Sequence, residues 1–404
     1  MFSPVFHLEP MGRLANLMIE YMVVLKFADM VRDCRISNIS ISAWGIHHPP
    51  MNSAGPTAVE QREQHINLPA LADQVWSGKI RRIEWTGFGQ RMENFLPPER
   101  YHAVFASPFR TPMGYGPEHL VCPVRAEDIL HGPNPEYVLT PVEFYRDVAE
   151  MTGLTPVFIG QTHPNPYMDR IRAAFPDAIF REPQDNPLVD FETIRQSRNV
   201  VIGVSTYSWL AAWLSQSLDN IYLTVSGLFN PIQKPSVDLL PFADSRFKFF
   251  LFPINYAVSL DRHADVHRRI APYWRLMSHE ALRQQINAAP RFERNVDQAL
   301  AVFDEAFYLD TNGDVAAAAQ NLGPGFARAH YINHGFQERR LPTRLDPVWY
   351  ASQYPLAAFE VAQGDYTDFA DHYIAIGHVR GYHPCQPEQT SGPRNLTRGV
   401  REAC

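Results

Sequence analysis

The sequence predicts an α/β protein of two Rossmann-like halves that face a cleft, followed by a mainly helical region. Three observations predict this fold class. Short apolar strands alternate with helical patterns over the first 260 residues, a proline- and glycine-rich stretch at Pro108–Pro117 interrupts them, and a 42-residue repeat follows. Strands that alternate with helices form parallel sheets, and ligands bind beyond the carboxyl ends of such strands.

The elements of the first half follow from the spacing of apolar residues. Val5–Leu8 is a predicted strand, and Arg13–Met30 is a predicted helix because its apolar residues recur at helical spacing. Ile36–Trp44 alternates and is rich in β-branched residues, so we expect one strand there. The other predicted elements are a helix at Leu68–Trp76 and strands at Ile80–Trp85 and Ala103–Phe105.

The strand and helix pattern restarts after the interruption. The predicted strands are Leu120–Val124, Pro156–Ile159, Asn199–Val204 and Asn220–Thr224, and we expect the last of them to close the run. The predicted helices are Pro141–Met151, Tyr167–Ala174, Asp190–Gln196 and Thr206–Ser217. The expected domains are therefore an N-terminal half at 1–117, a second half at 118–277, a helical connector with repeats at 278–385 and a flexible tail at 386–404.

The C-terminal region carries a sequence repeat with a constant offset of 42 residues. The matching positions are Phe307-Tyr308 with Trp349-Tyr350, His330-Tyr331 with His372-Tyr373, Gly335 with Gly377, and Pro342 with Pro384. Tandem repeats of this length are typical of stacked helical units. We expect Ser278–Ala306 to be a helical connector, and the repeats to offer a surface for a protein partner or for self-association.

Composition and charge exclude several classes of protein. Lys and Arg number 36 against 43 Asp and Glu, a net charge of −7, so nucleic acid is not an expected partner and any phosphate must be met locally. The four cysteines are dispersed without a CxxC pair, which argues against a disulfide framework or a zinc site. With no secretory signal and no apolar run long enough to span a bilayer, we expect a cytoplasmic protein without a transmembrane segment.

Two motifs suggest anion binding at strand ends. In Met11–Asn16, Gly12 permits a tight turn and Arg13 adds a charge to a helix N-terminus, although an ordinary strand-to-helix turn also explains this segment. In Cys122–Asp128, Arg125 follows a strand and can grip two phosphate oxygens, with Asp128 orienting it. The alternative for that motif is a surface Arg–Asp pair of little energetic worth.

The third motif, Val204–Trp213, runs from an apolar strand through hydroxyl residues into an apolar helix. Ser205 or Thr206 can cap the helix and donate to a phosphate beside its free N–H groups. Simple N-capping explains one hydroxyl, but it explains less well why Ser205, Thr206 and Ser208 crowd around an aromatic residue, Tyr207.

In this order, the three motifs resemble those of the GT-B nucleotide-sugar glycosyltransferases of the fucosyltransferase superfamily, over roughly residues 4–260. The third motif matches closely. In the first, Ala15 and Leu17 stand where the family has glycine and glutamine. In the second, Pro123 and Glu127 stand where it has histidine and glycine. These departures leave the donor open, and GDP-fucose is the first candidate.

The resemblance implies an inverting glycosyltransferase that needs no metal and no cofactor besides its nucleotide-sugar donor. Gly12, Arg13 and Asn16 would approach the donor. Arg125, with Asp128 beside it, would hold the diphosphate and stabilise the leaving group. Ser205, Thr206 and Tyr207 would bind the phosphates and flank the base. The acceptor would be a glycan, a lipid-linked molecule or a protein.

The general base stays open among several residues, because Glu and His can take a proton near neutral pH. The candidates are Glu127, His47, His48, His163 and Glu9. The alternative functions are a catalytically degenerate GT-B-like binding or assembly protein and a GT-B transferase with another nucleotide-sugar donor.

Overall fold

The computed structural model describes residues 3–52, 55–61, 64–131, 136–252, 274–288, 295–336, 338–363 and 366–386. The chain divides into two compact units, Met1–Ala289 and Pro290–Cys404. The predicted flexible tail lies outside the described residues except for Gln386. Among the described helices, none combines the length and the apolar character needed to cross a membrane.

The first unit begins with a four-stranded, fully parallel sheet in the order β2-β1-β6-β5. Its elements, with a short antiparallel hairpin of β3 and β4, are β1 (Val5–Leu8), α1 (Leu14–Met30), β2 (Arg35–Ser37), β3 (Ile39–Ile41), β4 (Ile46–His48), β5 (Thr57–Gln61), α2 (Leu68–Trp76) and β6 (Arg82–Thr86). All four residues of β1 are buried, as expected for a strand flanked on both sides in a parallel sheet.

A second sheet of seven strands, in the order β13-β12-β11-β10-β7-β8-β9, completes the first unit and is parallel except for β13. Its strands are β7 (His119–Val124), β8 (Thr155–Gly160), β9 (Ile179–Phe180), β10 (Asn199–Ile202), β11 (Asn220–Val225), β12 (Phe247–Leu251) and β13 (Arg275–Met277). Its helices are α3 (Glu127–His131), α4 (Val142–Thr152), α5 (Pro166–Ala174), α6 (Pro187–Gln196), α7 (Thr206–Trp213) and α8 (His279–Ala288). The α/β class with parallel sheets is thus confirmed.

Three predictions for the first unit were wrong, and one strand was not predicted. The single strand expected at Ile36–Trp44 is broken into β2, β3 and a 3₁₀ turn, because Asn38 adopts a positive φ of 65°. Ala103–Phe105 is a turn after a 3₁₀ helix at Pro98–Tyr101 rather than a strand. The strand β5 was missed. The run of strands continues past β11, because β12 pairs with it in parallel and β13 then adds an antiparallel edge.

The second unit is helical and contains the same succession of elements twice. Its elements are α9 (Val296–Ala301), then α10 (Glu305–Thr311), α11 (Gly313–Leu322), α12 (Phe326–His330) and a π-helical turn (Tyr331–Gly335), then α13 (Pro347–Gln353), α14 (Pro355–Gln363), α15 (Phe369–His372) and a π-helical turn (Tyr373–Gly377). The helix α8, expected to belong to the connector, falls instead within the first unit, where its first residue, His279, bonds the carbonyls of Phe242 and Phe247.

The positions that recur in sequence make the same contacts in both halves of the second unit. Tyr308 meets Nδ1 of His330 at 3.1 Å, and Tyr350 meets Nδ1 of His372 at 2.9 Å. The carbonyls of Pro342 and Pro384 accept from the backbone N–H that begins α10 and α13, at 2.8 and 2.9 Å. The side-chain contacts explain why Tyr and His recur at this spacing.

Candidate functional site

The strand order of the seven-stranded sheet reverses between β7 and β10, which are neighbours. The chain leaves β7 toward β8 on one side and leaves β10 toward β11 on the other. Such a reversal opens a crevice outside the carboxyl ends of the two strands, where ligands of open α/β sheets bind. Arg125 directly follows β7, and Ser205 comes three residues after β10. Two of the sequence motifs therefore flank this crevice.

The turn between β1 and α1 requires glycine at its centre. Gly12 has a φ of +78°, and a Cβ atom there would lie 2.3 Å from Nδ2 of Asn16. Arg13 occupies the N-cap position of α1, is exposed, and makes no side-chain bond to the first N–H groups of that helix. The start of α1 therefore combines a guanidinium with backbone donors that no N-cap side chain occupies.

Arg125 is held on three sides. Its Nε donates to both carboxylate oxygens of Asp128, at 3.2 and 3.1 Å, and Nη1 donates to the carbonyl of Val204 at 3.4 Å. The guanidinium carbon lies 4.2 Å from the centre of the Tyr137 ring. The side chain remains 30% exposed, so a ligand in the crevice can reach it. This arrangement fixes the guanidinium plane while part of the side chain stays exposed.

The charges of this pair stabilise each other. Burial alone would raise the pKa of Asp128, but the hydrogen bond and charge of Arg125 outweigh it, and Arg13 adds to the effect, so the pKa of Asp128 is lowered. Burial likewise opposes the charge of Arg125, yet Asp128 raises the pKa of the guanidinium above its ordinary value. Both groups are ionised at neutral pH. The charge of Arg13, in the first motif, acts on Asp128, in the second.

The third motif begins α7 as the sequence predicted. Ser205 is the N-cap residue, and its hydroxyl accepts from the N–H of Ser208 at 3.4 Å. Thr206 turns toward the first motif and donates to Oδ1 of Asn16 at 3.4 Å. Tyr207 points elsewhere, because its hydroxyl donates to the carbonyl of Pro187 and its ring packs on Phe191. The hydroxyl of Tyr207 is thus engaged with α6.

The three motifs converge on one place. Arg125 reaches the carbonyl of Val204, Thr206 reaches Asn16, and the charge of Arg13 acts on Asp128. Residues far apart in sequence therefore bring the Arg125 guanidinium and the N-terminus of α7 together, with Arg13 near enough for its charge to act on Asp128. Such a set of donors suits a ligand with negatively charged oxygens.

Three supporting residues were missed in the sequence. Gln90 donates to Oδ1 of Asn16 at 3.2 Å, and Tyr137 lies under Arg125. Oε1 of Gln161 accepts from the N–H groups of Ala126 and Glu127, at 2.7 and 3.0 Å, and so fixes the segment that enters α3. Gln161 follows β8 directly, and its position at a strand end was the one signal that could have found it.

The candidate bases lie in different surroundings. Glu9 follows β1, its side chain is 59% exposed, and its Oε1 lies 3.1 Å from Nε2 of His7. His47 is exposed on β4, whereas Nε2 of His48 is engaged by the hydroxyl of Tyr21 at 3.1 Å. Burial, followed by the charge of His47, lowers the pKa of His48.

The two other candidates flank the seven-stranded sheet. His163 is exposed after β8, and Glu127 is exposed in the first turn of α3. Within the described part of the chain, no group of three or more His, Cys, Asp or Glu side chains is arranged to hold a metal ion.

Comparisons with known proteins add a distant similarity to solved structures. No protein-family model and no curated protein matches the chain. Among solved structures, the chain is similar to a mutant of FUT1 from Arabidopsis thaliana in complex with GDP, with 8% sequence identity, a TM-score of 0.36, and coverage of 64% of this chain and 72% of that chain.

Proposed function

We propose that the protein is an inverting glycosyltransferase that binds a nucleotide-sugar donor in the crevice between β7 and β10, without a metal ion. The observation that carries the proposal is the convergence of Arg125, the N-terminus of α7 and the Arg13 turn on one place. GDP-fucose is the first candidate donor, as the sequence motifs suggest.

The chemistry follows from the charge that develops during transfer. As the bond between sugar and diphosphate breaks, its electron pair moves to the diphosphate, and the anomeric carbon becomes positive. Arg125 and the start of α7 would offset the new negative charge, which is electrostatic catalysis. Because Asp128 and Tyr137 already fix the guanidinium, little reorganisation is needed at the moment of reaction.

We assign the general base to Glu9. It follows the carboxyl end of β1, in the same loop as Gly12 and Arg13, and its carboxylate is exposed to an incoming acceptor. The proton of the acceptor hydroxyl would pass to this carboxylate while the acceptor oxygen bonds to the anomeric carbon. Variants of the other candidate bases test this assignment; these candidates are Glu127, His47, His48 and His163.

The deciding measurement is a thermal-shift screen with GDP, UDP, CMP and dTDP compounds, followed by a nucleotide-sugar hydrolysis assay. A nucleotide at 100 times its Kd should stabilise the protein by about 2.7 kcal/mol. The nucleotide base of the compound that stabilises the protein identifies the donor class. No shift with any of the four would contradict the transferase proposal and favour a binding or assembly protein.

Replacement of Arg125 tests the mechanism directly. We expect Arg125→Ala to lower turnover by about 10²–10³, the loss typical of removing one preorganised donor from an oxyanion-type site. The control is Arg198→Ala, which removes a surface Arg–Asp pair beside the other end of β10, where Arg198 meets Asp219 at 2.8 Å. Turnover of Arg125→Ala within about tenfold of the wild type would exclude the assigned role.

A further inference from the structure

A buried imidazole lies beside Glu9, on the strand that precedes it. His7 and Ser37 are partners in the register of β1 and β2, and both are buried. Glu9 lies just beyond the end of β1, and its side chain meets that of His7. Nδ1 of His7 lies 2.9 Å from Oγ of Ser37, and Nε2 lies 3.1 Å from Oε1 of Glu9.

For a singly protonated imidazole, hydrogen-bond accounting gives the tautomer of His7. An ionised carboxylate only accepts, so Nε2 of His7 must carry the proton that it shares with Glu9. In a neutral imidazole the other nitrogen is then an acceptor, and the hydroxyl of Ser37 donates to it. Ser37 itself accepts from the N–H of Met51 at 2.9 Å, which leaves its proton for His7.

The backbone around Glu9 is anchored as well. Its N–H donates to the carbonyl of Trp85 on β6 at 2.9 Å. On the other side, Nδ2 of Asn38 donates to the carbonyl of Leu8 at 2.7 Å. With the main chain held by both neighbouring segments, the remaining freedom of Glu9 is the rotation of its side chain, and His7 acts on that rotation.

We propose that Ser37 and His7 are positioning residues that aim the carboxylate of Glu9 at the acceptor hydroxyl; this inference rests on the proposed function. The N–H of His7 holds Oε1, and Oε2 is presented outward. In the transfer step, Oε2 takes the proton of the acceptor, the acceptor oxygen bonds to the anomeric carbon, and the diphosphate leaves with the electron pair. The imidazole keeps the proton on Nε2 throughout.

Two amide substitutions of His7 separate the two contacts. The amide of Gln reaches approximately the place of Nε2, and that of Asn approximately the place of Nδ1. His7→Gln can therefore still donate to Glu9, whereas His7→Asn can still meet Ser37 only. We expect His7→Asn to lower kcat about tenfold and His7→Gln about threefold or less, with the donor KM unchanged in both, since a misplaced base costs part of the 10²–10⁴ that general-base catalysis supplies.

Equal kcat values for the two variants would overturn the positioning role. If His7 were merely structural, His7→Asn would be the better replacement, because its amide keeps the contact with Ser37. Glu9→Gln is the reference, with an expected loss of about 10²-fold or more. Wild-type turnover in that variant would overturn both the assignment of Glu9 as general base and the positioning role of His7 and Ser37.

A spectroscopic test does not depend on transfer activity. In ¹⁵N-histidine NMR spectra of the full chain, His7 should show the tautomer protonated at Nε2, and Ser37→Ala should retain it because the carboxylate of Glu9 still accepts that proton. A wild-type signal from the Nδ1-protonated form would overturn the inference. If no nucleotide binds but the expected tautomer is observed, the proposed function fails while the hydrogen-bonded pair stands.

Discussion

Glu20 is a fully buried carboxyl group in α1, one turn and a half beyond the turn that carries Gly12 and Arg13. Both of its oxygens accept from the N–H of Met11, at 3.1 and 3.3 Å. Burial raises the pKa of Glu20 to about 8, and the bond from Met11 lowers it only in part. Near neutral pH the carboxyl is therefore mostly protonated while it holds the site loop.

The raised pKa of Glu20 predicts how stability depends on pH. Between the ordinary pKa of 4.5 and about 8, the folded state binds a proton that the unfolded state has lost, so the free energy of unfolding falls as pH rises. Glu20→Gln keeps an acceptor for Met11 and removes this dependence. We expect the variant to be more stable than the wild type above pH 8, by on the order of 4 kcal/mol.

The same variant supplies its own control at low pH. At pH 4 both side chains are neutral, so the two proteins should unfold at nearly the same urea concentration. Urea titrations at pH 4, 6.5 and 9 measure the difference. A stability gain that does not grow with pH would show that Glu20 is charged in the folded protein.

At the residue scale, local chemistry could be predicted and tertiary contacts could not. The bond that Arg125 donates to Asp128 follows from residues three apart at the start of a helix, and Ser205 caps α7 as hydroxyl residues do. The orientation of the Tyr207 side chain depends on its bond to the carbonyl of Pro187. The ring that lies against Arg125 belongs to Tyr137. Both contacts join residues that are not neighbours in sequence.

At the scale of elements, the π-helical turns of the second unit depend on two glycines. A Cβ atom on Gly335 would lie 2.0 Å from the hydroxyl of Tyr308, and one on Gly377 would lie 2.0 Å from that of Tyr350. Each glycine thus leaves room for the tyrosine that bonds the histidine before the same turn. This close approach, rather than a need for positive φ, explains why glycine recurs at both positions.

A methyl group at Gly377 should therefore break the contact between Tyr350 and His372. We expect Gly377→Ala to destabilise the second unit by about 2 kcal/mol or more, because overpacking a buried contact costs roughly 1–3 kcal/mol and the hydrogen bond is lost as well. Gly313→Ala is the matched control, since a Cβ there meets nothing within 4 Å. Chemical denaturation measures both, and equal stabilities would contradict the steric explanation.

The predicted boundaries of elements were right where the periodic pattern was long. They were wrong where a single backbone angle interrupts the element. The predicted helix at Leu68–Trp76 has the same bounds as α2. The strand expected at Ile36–Trp44 is interrupted at Asn38, whose left-handed backbone is stabilised by its bond to the carbonyl of Leu8. The strand β5 has only five residues and finds its place through pairing with β6, a partner that periodicity cannot identify.

At the scale of the whole molecule, the chain forms two units, each with apolar clusters of its own. The first unit contains two parallel sheets, and the candidate site lies entirely within it. The second unit contains aromatic clusters around Tyr308 and Tyr350. The 42-residue repeat falls within the second unit, while α8 was grouped with the repeats because a helical pattern does not reveal what the helix packs against.

Two separate sets of cores predict two unfolding transitions, and only one of them should respond to a nucleotide. A nucleotide present at 100 times its Kd adds about 2.7 kcal/mol to the stability of the unit that binds it, which raises the melting temperature of a unit of this size by roughly 5 °C. Gly377→Ala should lower the other transition and leave the nucleotide-dependent one in place. Differential scanning calorimetry of the full chain measures both effects together. One transition that moves with the nucleotide and with the glycine substitution alike would mean that the two units unfold as one cooperative structure, and the site would then draw stability from the repeats as well as from its own sheets.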